Sequence, residues 1–259
     1  MPPGLLLLLA VPPLLLLGVP LLSLAGRAFD PVLWRAAWHD PLVIDALSLS
    51  LRTSLSSLAL VVVIGTPVAY LLARHRFPGR EALDTLLAVP MVLPPAVAGL
   101  ALLMAFGRRG VVGAWLSSAG VDLAFTTSAV VIAQCFVAAP FYIRAARTGF
   151  EAVDPQLELV AATLGSTRAD VFRRVTLPLA APSLAAGAVM AWARALGEFG
   201  ATLMFAGNYP GRTQTMPLAI YTAMESDVGS ALTLALALVA VSFAALLALR
   251  LGSGRGPAA

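Results

Sequence analysis

Hydrophobic positions along the chain gather into six long runs, near Gly4 to Ala25, Ala46 to Ala73, Leu83 to Phe106, Thr126 to Ala146, Leu179 to Phe205 and Val228 to Leu249. A helix needs about 20 apolar residues to cross a bilayer, so each run predicts a membrane-spanning helix. The expected fold is an all-α, polytopic membrane helix bundle of about six transmembrane helices, forming one transmembrane domain over residues 1–259. Composition agrees: 59% of residues are hydrophobic and 12% charged, against roughly a quarter charged in soluble domains. The first run reads as a retained helix rather than a secretory leader. No basic residue precedes it, and it exceeds the roughly 7 to 15 residues of a leader core. Pro12, Pro13 and Pro20 predict kinks within it.

Charge narrows the chemistry. All 17 basic residues are Arg. Without Lys there is neither a Walker A phosphate loop nor a Schiff-base amine, so nucleotide energy must come from another chain. His39, His75 and Cys135 complete a sparse reactive set that contains no zinc-protease or nucleophile-elbow motif, and a single Cys forms no internal disulfide. The arginines are scattered rather than clustered, which argues against nucleic acid as a partner. With both termini on one side, ten arginines (74, 76, 80, 144, 147, 168, 173, 174, 250 and 255) share that side and five (27, 35, 108, 109 and 212) lie opposite. The positive-inside rule then places both termini in the cytoplasm. Phe29, Trp34 and Trp38 suit an external aromatic belt.

One inner connection, about residues 147–178, far exceeds the usual 2 to 8 residues between packed helices. Asp154 as N-cap, Pro155 at the first helical position and Gly165 as terminator bracket a short amphipathic helix with Leu157, Val160, Ala161 and Leu164 on its apolar face. A second helical piece, Arg168 to Val175, is expected to end before Leu177 and Pro178. The pair reads as a docking platform outside the membrane, or as an interfacial hairpin that serves packing.

This loop resembles the EAA loop of ATP-binding-cassette importer permeases, through Glu158, Ala161, Ala162, Gly165, Leu177 and Pro178. It departs from the simple motif in that Leu159 and Val160 separate Glu158 from the alanines. The stretches VPMVLPPAVAGLALL (89–103), GRRGVVG (107–113) and ARALGEFGATLMFAGNYPGRTQTMPLAIY (193–221) extend the resemblance to molybdate permeases, within the molybdate, tungstate and sulfate importers. The resemblance covers roughly residues 45–250. It implies the type I ABC importer permease fold in a prokaryotic cytoplasmic (inner) membrane, and a homodimer. It also implies two ATPase subunits coupled through residues 147–178 and a periplasmic or extracellular oxyanion-binding protein. The cofactors it implies, ATP and magnesium, are used by the partner ATPase, with none in this chain, which is then a transport subunit and not an enzyme. Molybdate would move inward by alternating access; tungstate, sulfate or thiosulfate import and ion-coupled secondary transport are the alternatives.

The remaining candidates concern the path. Pro90, Pro94 and Pro95 should break the first turns of the third span, exposing backbone groups tolerated only beside protein or water. Arg194 and Glu198, four residues apart, are expected on one helical face as a mutual ion pair or a gate, with Gly200 allowing close helix approach. Arg108, Arg109 and Arg212 fall outside, as interfacial anchors or as charges that steer an anion or meet a binding protein. Arg168, Arg173 and Arg174 face the inner side, beside membrane lipid headgroups.

Overall fold

In the computed structural model, residues 3–27 and 40–253 are described, and among them all regular structure is helical. Phe29, Arg35, Trp34, Trp38, His39 and Arg255, named above, lie outside the described residues. Helix α1 (Pro3–Arg27) runs through Pro12, Pro13 and Pro20, with Leu14 to Leu17 exposed as lipid-facing side chains would be. Helix α2 (Pro41–Arg74) begins where Asp40 accepts the Leu42 N–H at 2.9 Å, with Pro41 at the first helical position. At 1.5 Å per residue its 34 residues extend about 50 Å, beyond the roughly 30 Å hydrocarbon layer.

The third expected span is not one helix. Helix α3 (Arg80–Val92) and helix α4 (Pro95–Phe106) meet at 119°. The expectation that prolines would disrupt the first turns is therefore corrected: the break falls at Leu93 and Pro94, and Pro90 stays inside α3. Residues before proline are driven to extended backbone, and Leu93 adopts φ −65°, ψ 133°. Pro95 then starts α4 at a position where the missing N–H costs no helical bond.

Helix α5 (Gly113–Ser118) precedes α6 (Thr127–Ala152), the central element, packed against both α2 and the later α9. Helix α7 (Pro155–Thr163) and α8 (Arg168–Val171) follow. A π-helical turn (Phe172–Thr176) leads directly into α9 (Leu177–Leu196). The second loop helix thus does not end before Leu177 and Pro178: Arg168–Leu196 is one 29-residue helical run. Pro178 has no N–H to donate, and the preceding turn widens so that the Leu177 N–H reaches the Phe172 carbonyl, five residues back. The fifth span also breaks, at Gly197–Phe199, before α10 (Gly200–Ala206). Helix α11 (Met216–Ser226) and α12 (Val228–Ser253) complete the chain.

Helices α2, α6 and the Arg168–Leu196 run are each long and apolar enough to cross a membrane, and α3 with α4 forms a fourth, bent unit. Helices α1 and α12, of 25 and 26 residues, carry the first and last apolar runs. Small residues dominate the contacts, as membrane helices need for close approach. Ala69, Ala138, Ala146, Ala180, Ala191 and Ala195 are all buried where α2, α6 and α9 meet. A second cluster joins α4, α6 and α10, and a third joins α2, α11 and α12.

Candidate functional site: the inner loop and the broken spans

The inner loop is built by local rules. Asp154 accepts the Gln156 N–H at 2.8 Å, and Pro155 opens α7. At its end the Gly165 N–H bonds the Ala162 carbonyl and the Ser166 N–H bonds the Ala161 carbonyl. This paired closure requires a left-handed residue, and Gly165 has φ +89°. Thr167 then caps α8, accepting the Asp170 N–H and donating to Asp170 Oδ2 at 2.6 Å.

The side chains of α7 reverse the expected amphipathic arrangement. Leu157, Leu159, Val160 and Leu164 are 48–81% exposed, while Glu158 and Ala161 turn partly inward. The helix offers apolar groups outward because its inward face is held by a polar contact. Glu158 Oε1 accepts from Arg74 Nη2 at 2.8 Å and from Thr176 Oγ1 at 2.7 Å. Arg74 Nη2 also donates to the Val153 carbonyl at 3.0 Å. Ala162, Gly165 and Pro178 are exposed, and Leu177 is half-buried at the start of α9. Nearby, Arg147 bonds Glu151 and Asp84 at 2.8 and 2.9 Å, tying α3 to α6. A cavity of about 1510 Å³ lies between α2, α9 and this loop, with Thr66, Tyr70, Arg74, Tyr142, Glu158 and Phe172 on its wall.

At the far end of α9, Arg194 Nη1 meets Glu198 Oε2 at 2.6 Å. The two do not share a continuous helical face, however. The helix stops at Leu196, and Glu198, 1% exposed, lies in the break, where its other oxygen accepts the Ala201 N–H at 2.7 Å. Here the two broken spans meet: a Cβ on Gly200 would come within 2.5 Å of the Pro95 Cβ, and one on Gly99 within 2.8 Å of the Ala201 carbonyl oxygen. Pro94 and Pro95 thus sit at this junction, whereas Pro90 lies within α3.

Arg108, beyond α4, is engaged by Asp122 at 2.8 Å, and Ser117 donates to the same carboxylate at 2.9 Å. The Arg108 and Ser117 bonds lower the Asp122 carboxyl below the usual carboxylate range. Arg109 and Arg212 are exposed, and the Arg212 carbonyl accepts from Thr127 Oγ1, anchoring the 207–215 loop to the start of α6.

Arg74, Thr176, Asp84 and Glu151 escape a reading of the sequence. Only the four-residue spacing of Arg147 and Glu151 signals a contact; Arg74 and Glu158 stand 84 positions apart, joined by packing alone.

The broken spans thus pack at one end of the helical bundle, and the apolar-faced loop is clamped at the other. The fold is shared with importer structures. It is similar to a chain in the crystal structure of a bacterial ABC transporter involved in import of the acidic polysaccharide alginate, with a TM-score of 0.77 and 18% identity, covering 97% of this chain and 94% of that one. For the MetNI methionine ABC transporter in inward-facing conformations the values are 0.63, 19%, 87% and 96%.

The chain belongs to the family of binding-protein-dependent transport system inner membrane components, which it matches over residues 65–252. It is 43% identical to the molybdenum transport system permease protein ModB of Mycobacterium tuberculosis over 244 residues, 94% of this chain and 91% of the relative. Against ModB of Escherichia coli K12 it is 41% identical, covering 77% and 88%. The molybdate/tungstate transport system permease protein WtpB of Thermococcus kodakarensis is 42% identical, covering 71% and 68%.

Proposed function

We propose that this chain is the membrane-spanning subunit of an ABC importer that moves molybdate inward by alternating access, with ATP and magnesium used by a separate ATPase. The observation that carries the coupling is the outward apolar edge of α7, Leu157, Leu159, Val160 and Leu164. Each such side chain contributes about 1.5–3 kcal/mol when fully removed from water, so a partner that covers this edge gains what the isolated chain leaves unused. The substrate class follows from relatives named for molybdenum that are 41–43% identical over most of the chain.

In this reading two copies of the chain enclose the path and two ATPase subunits seat on the paired 147–178 loops. An extracytoplasmic oxyanion-binding protein delivers the dianion to the face that carries Arg108, Arg109 and Arg212. Both termini are cytoplasmic, as the ten-to-five arginine bias supports. Glu158, Ala161, Ala162, Gly165, Leu177 and Pro178 belong to the coupling surface. Pro94, Pro95, Arg194, Glu198 and Gly200 form the gate, where two broken helices can shift without unwinding a continuous one. Glu198 positions this junction and does not contact the anion, which its carboxylate would repel.

The test is uptake into vesicles that hold this chain, its ATPase and its binding protein, with calorimetry of the binding protein alone. ATP-dependent molybdate accumulation and tight molybdate binding are expected. Tight sulfate binding without molybdate binding overturns the substrate, and uptake driven by an ion gradient without ATPase overturns the mechanism.

A further inference from the structure

We propose that Arg74 and Thr176 are positioning residues that lock Glu158, so that α7 moves as one body with the end of α2 and the start of α9. The inference rests on the reading that α7 seats the ATPase. It differs in what Glu158 does: its side chain faces this chain's own bundle rather than the partner.

Two separate parts of the fold converge on one carboxylate oxygen carried by a third. Arg74 Nη2 and Thr176 Oγ1 both donate to Glu158 Oε1, at 2.8 and 2.7 Å. Thr176 is fully buried, and the side chains of Arg74 and Glu158 are 14% and 20% exposed. Charge-assisted bonds between partly buried groups are stronger and more directional than fully exposed surface pairs. The same guanidinium nitrogen holds the Val153 carbonyl, which fixes the point where α6 turns into α7. An aromatic layer joins the same regions: Tyr70 of α2 meets Phe150 of α6 and Phe172 of the π turn edge-on, with ring centres 5.4 and 5.1 Å apart.

The placement of Thr176 gives the contact its mechanical meaning. It is the last residue of the π turn, and the helical run continues from it without interruption to Leu196. At 1.5 Å per residue, a displacement of α7 is carried about 30 Å along α9 to the break at Glu198. A loop joined to the bundle only by backbone would bend at Val153 or at Gly165 instead. The ionic joint closes the first of these, and the Thr176 hydroxyl links the far side of the loop across the second.

The experiment uses the full complex in vesicles, with the binding protein and molybdate as the transported probe. It reads two quantities: ATPase retained on the permease, and molybdate accumulated per ATP hydrolysed. Arg74→Gln and Thr176→Val are expected to retain the ATPase as the unmodified chain does, while the transport ratio falls about fivefold or more, the lower end of ordinary site-to-site coupling. Thr176→Ser keeps the hydroxyl and is expected to keep the ratio, and Arg74→Glu with Glu158→Arg is expected to recover part of what either reversal loses. An unchanged ratio in Arg74→Gln and Thr176→Val overturns the joint. Parallel loss of ATPase retention also overturns it, because the contact would then serve docking itself. If the unmodified chain retains no ATPase, the docking reading itself fails.

Discussion

Gly165 has φ +89° at the close of α7, and a Cβ in the left-handed region costs about 1–2 kcal/mol. Gly165→Ala is expected to lower substrate-stimulated ATP hydrolysis modestly. Gly165→Pro should abolish the stimulation, because it also removes the N–H that bonds Ala162, with membrane insertion retained in both. Hydrolysis in reconstituted vesicles measures this. Asp122 offers a test in solution. Arg108 and Ser117 hold its carboxyl below the ordinary value, so this contact contributes above the unfolded carboxylate range, near pH 4, and is lost as pH falls through the lowered folded value. Carbon-13 NMR of labelled aspartate should show Asp122 titrating below the other exposed aspartates, and Arg108→Gln should move it upward. Reversal of Arg108 and Arg109 to Glu should weaken coupling to the binding protein while the isolated subunit stays folded, read by pull-down and uptake.

At the scale of elements, α7 separates what local pattern reveals from what it does not. Its start and stop were legible, because Asp154, Pro155 and Gly165 act through bonds two to five residues away. Its orientation was not: the apolar residues that a soluble amphipathic helix would bury point outward, since the buried side is claimed by a carboxylate with distant partners. Serine at Leu157, Val160 and Leu164 should therefore leave the melting of the isolated subunit nearly unchanged and reduce ATPase retention by an order of magnitude or more. The broken spans teach a related lesson. Prolines at 94 and 95 marked irregularity in the third span, whereas the break at Gly197–Phe199 in the fifth went unmarked, and a 119° turn depends on what α4 packs against. Gly200→Ala brings a Cβ to 2.5 Å from the Pro95 Cβ, and such overpacking costs about 1–3 kcal/mol. The expected result is a lower melting temperature and altered uptake, whereas a surface Gly120→Ala serves as a control in which only backbone strain changes.

For the whole molecule, membrane residence and the all-helical fold follow from the six apolar runs, and the absence of Lys excludes a Walker A phosphate loop from this chain. These features depend on composition and near-neighbour chemistry, which the bilayer reads directly: every backbone group must be bonded within its own helix. The loop's capping residues, its glycine and the proline-marked irregularities belong to the same local class. Tertiary structure alone decided that two interrupted helices meet at Gly200 and Pro95, and that Leu177 and Pro178 lie within a helix through a π turn. It alone drew Arg74, Glu158 and Thr176 to a single oxygen. Those contacts join residues as far apart in the chain as Arg74 and Glu158 or Pro95 and Gly200, and no pattern with a period of a few residues can encode which of many small-faced helices will pack side by side.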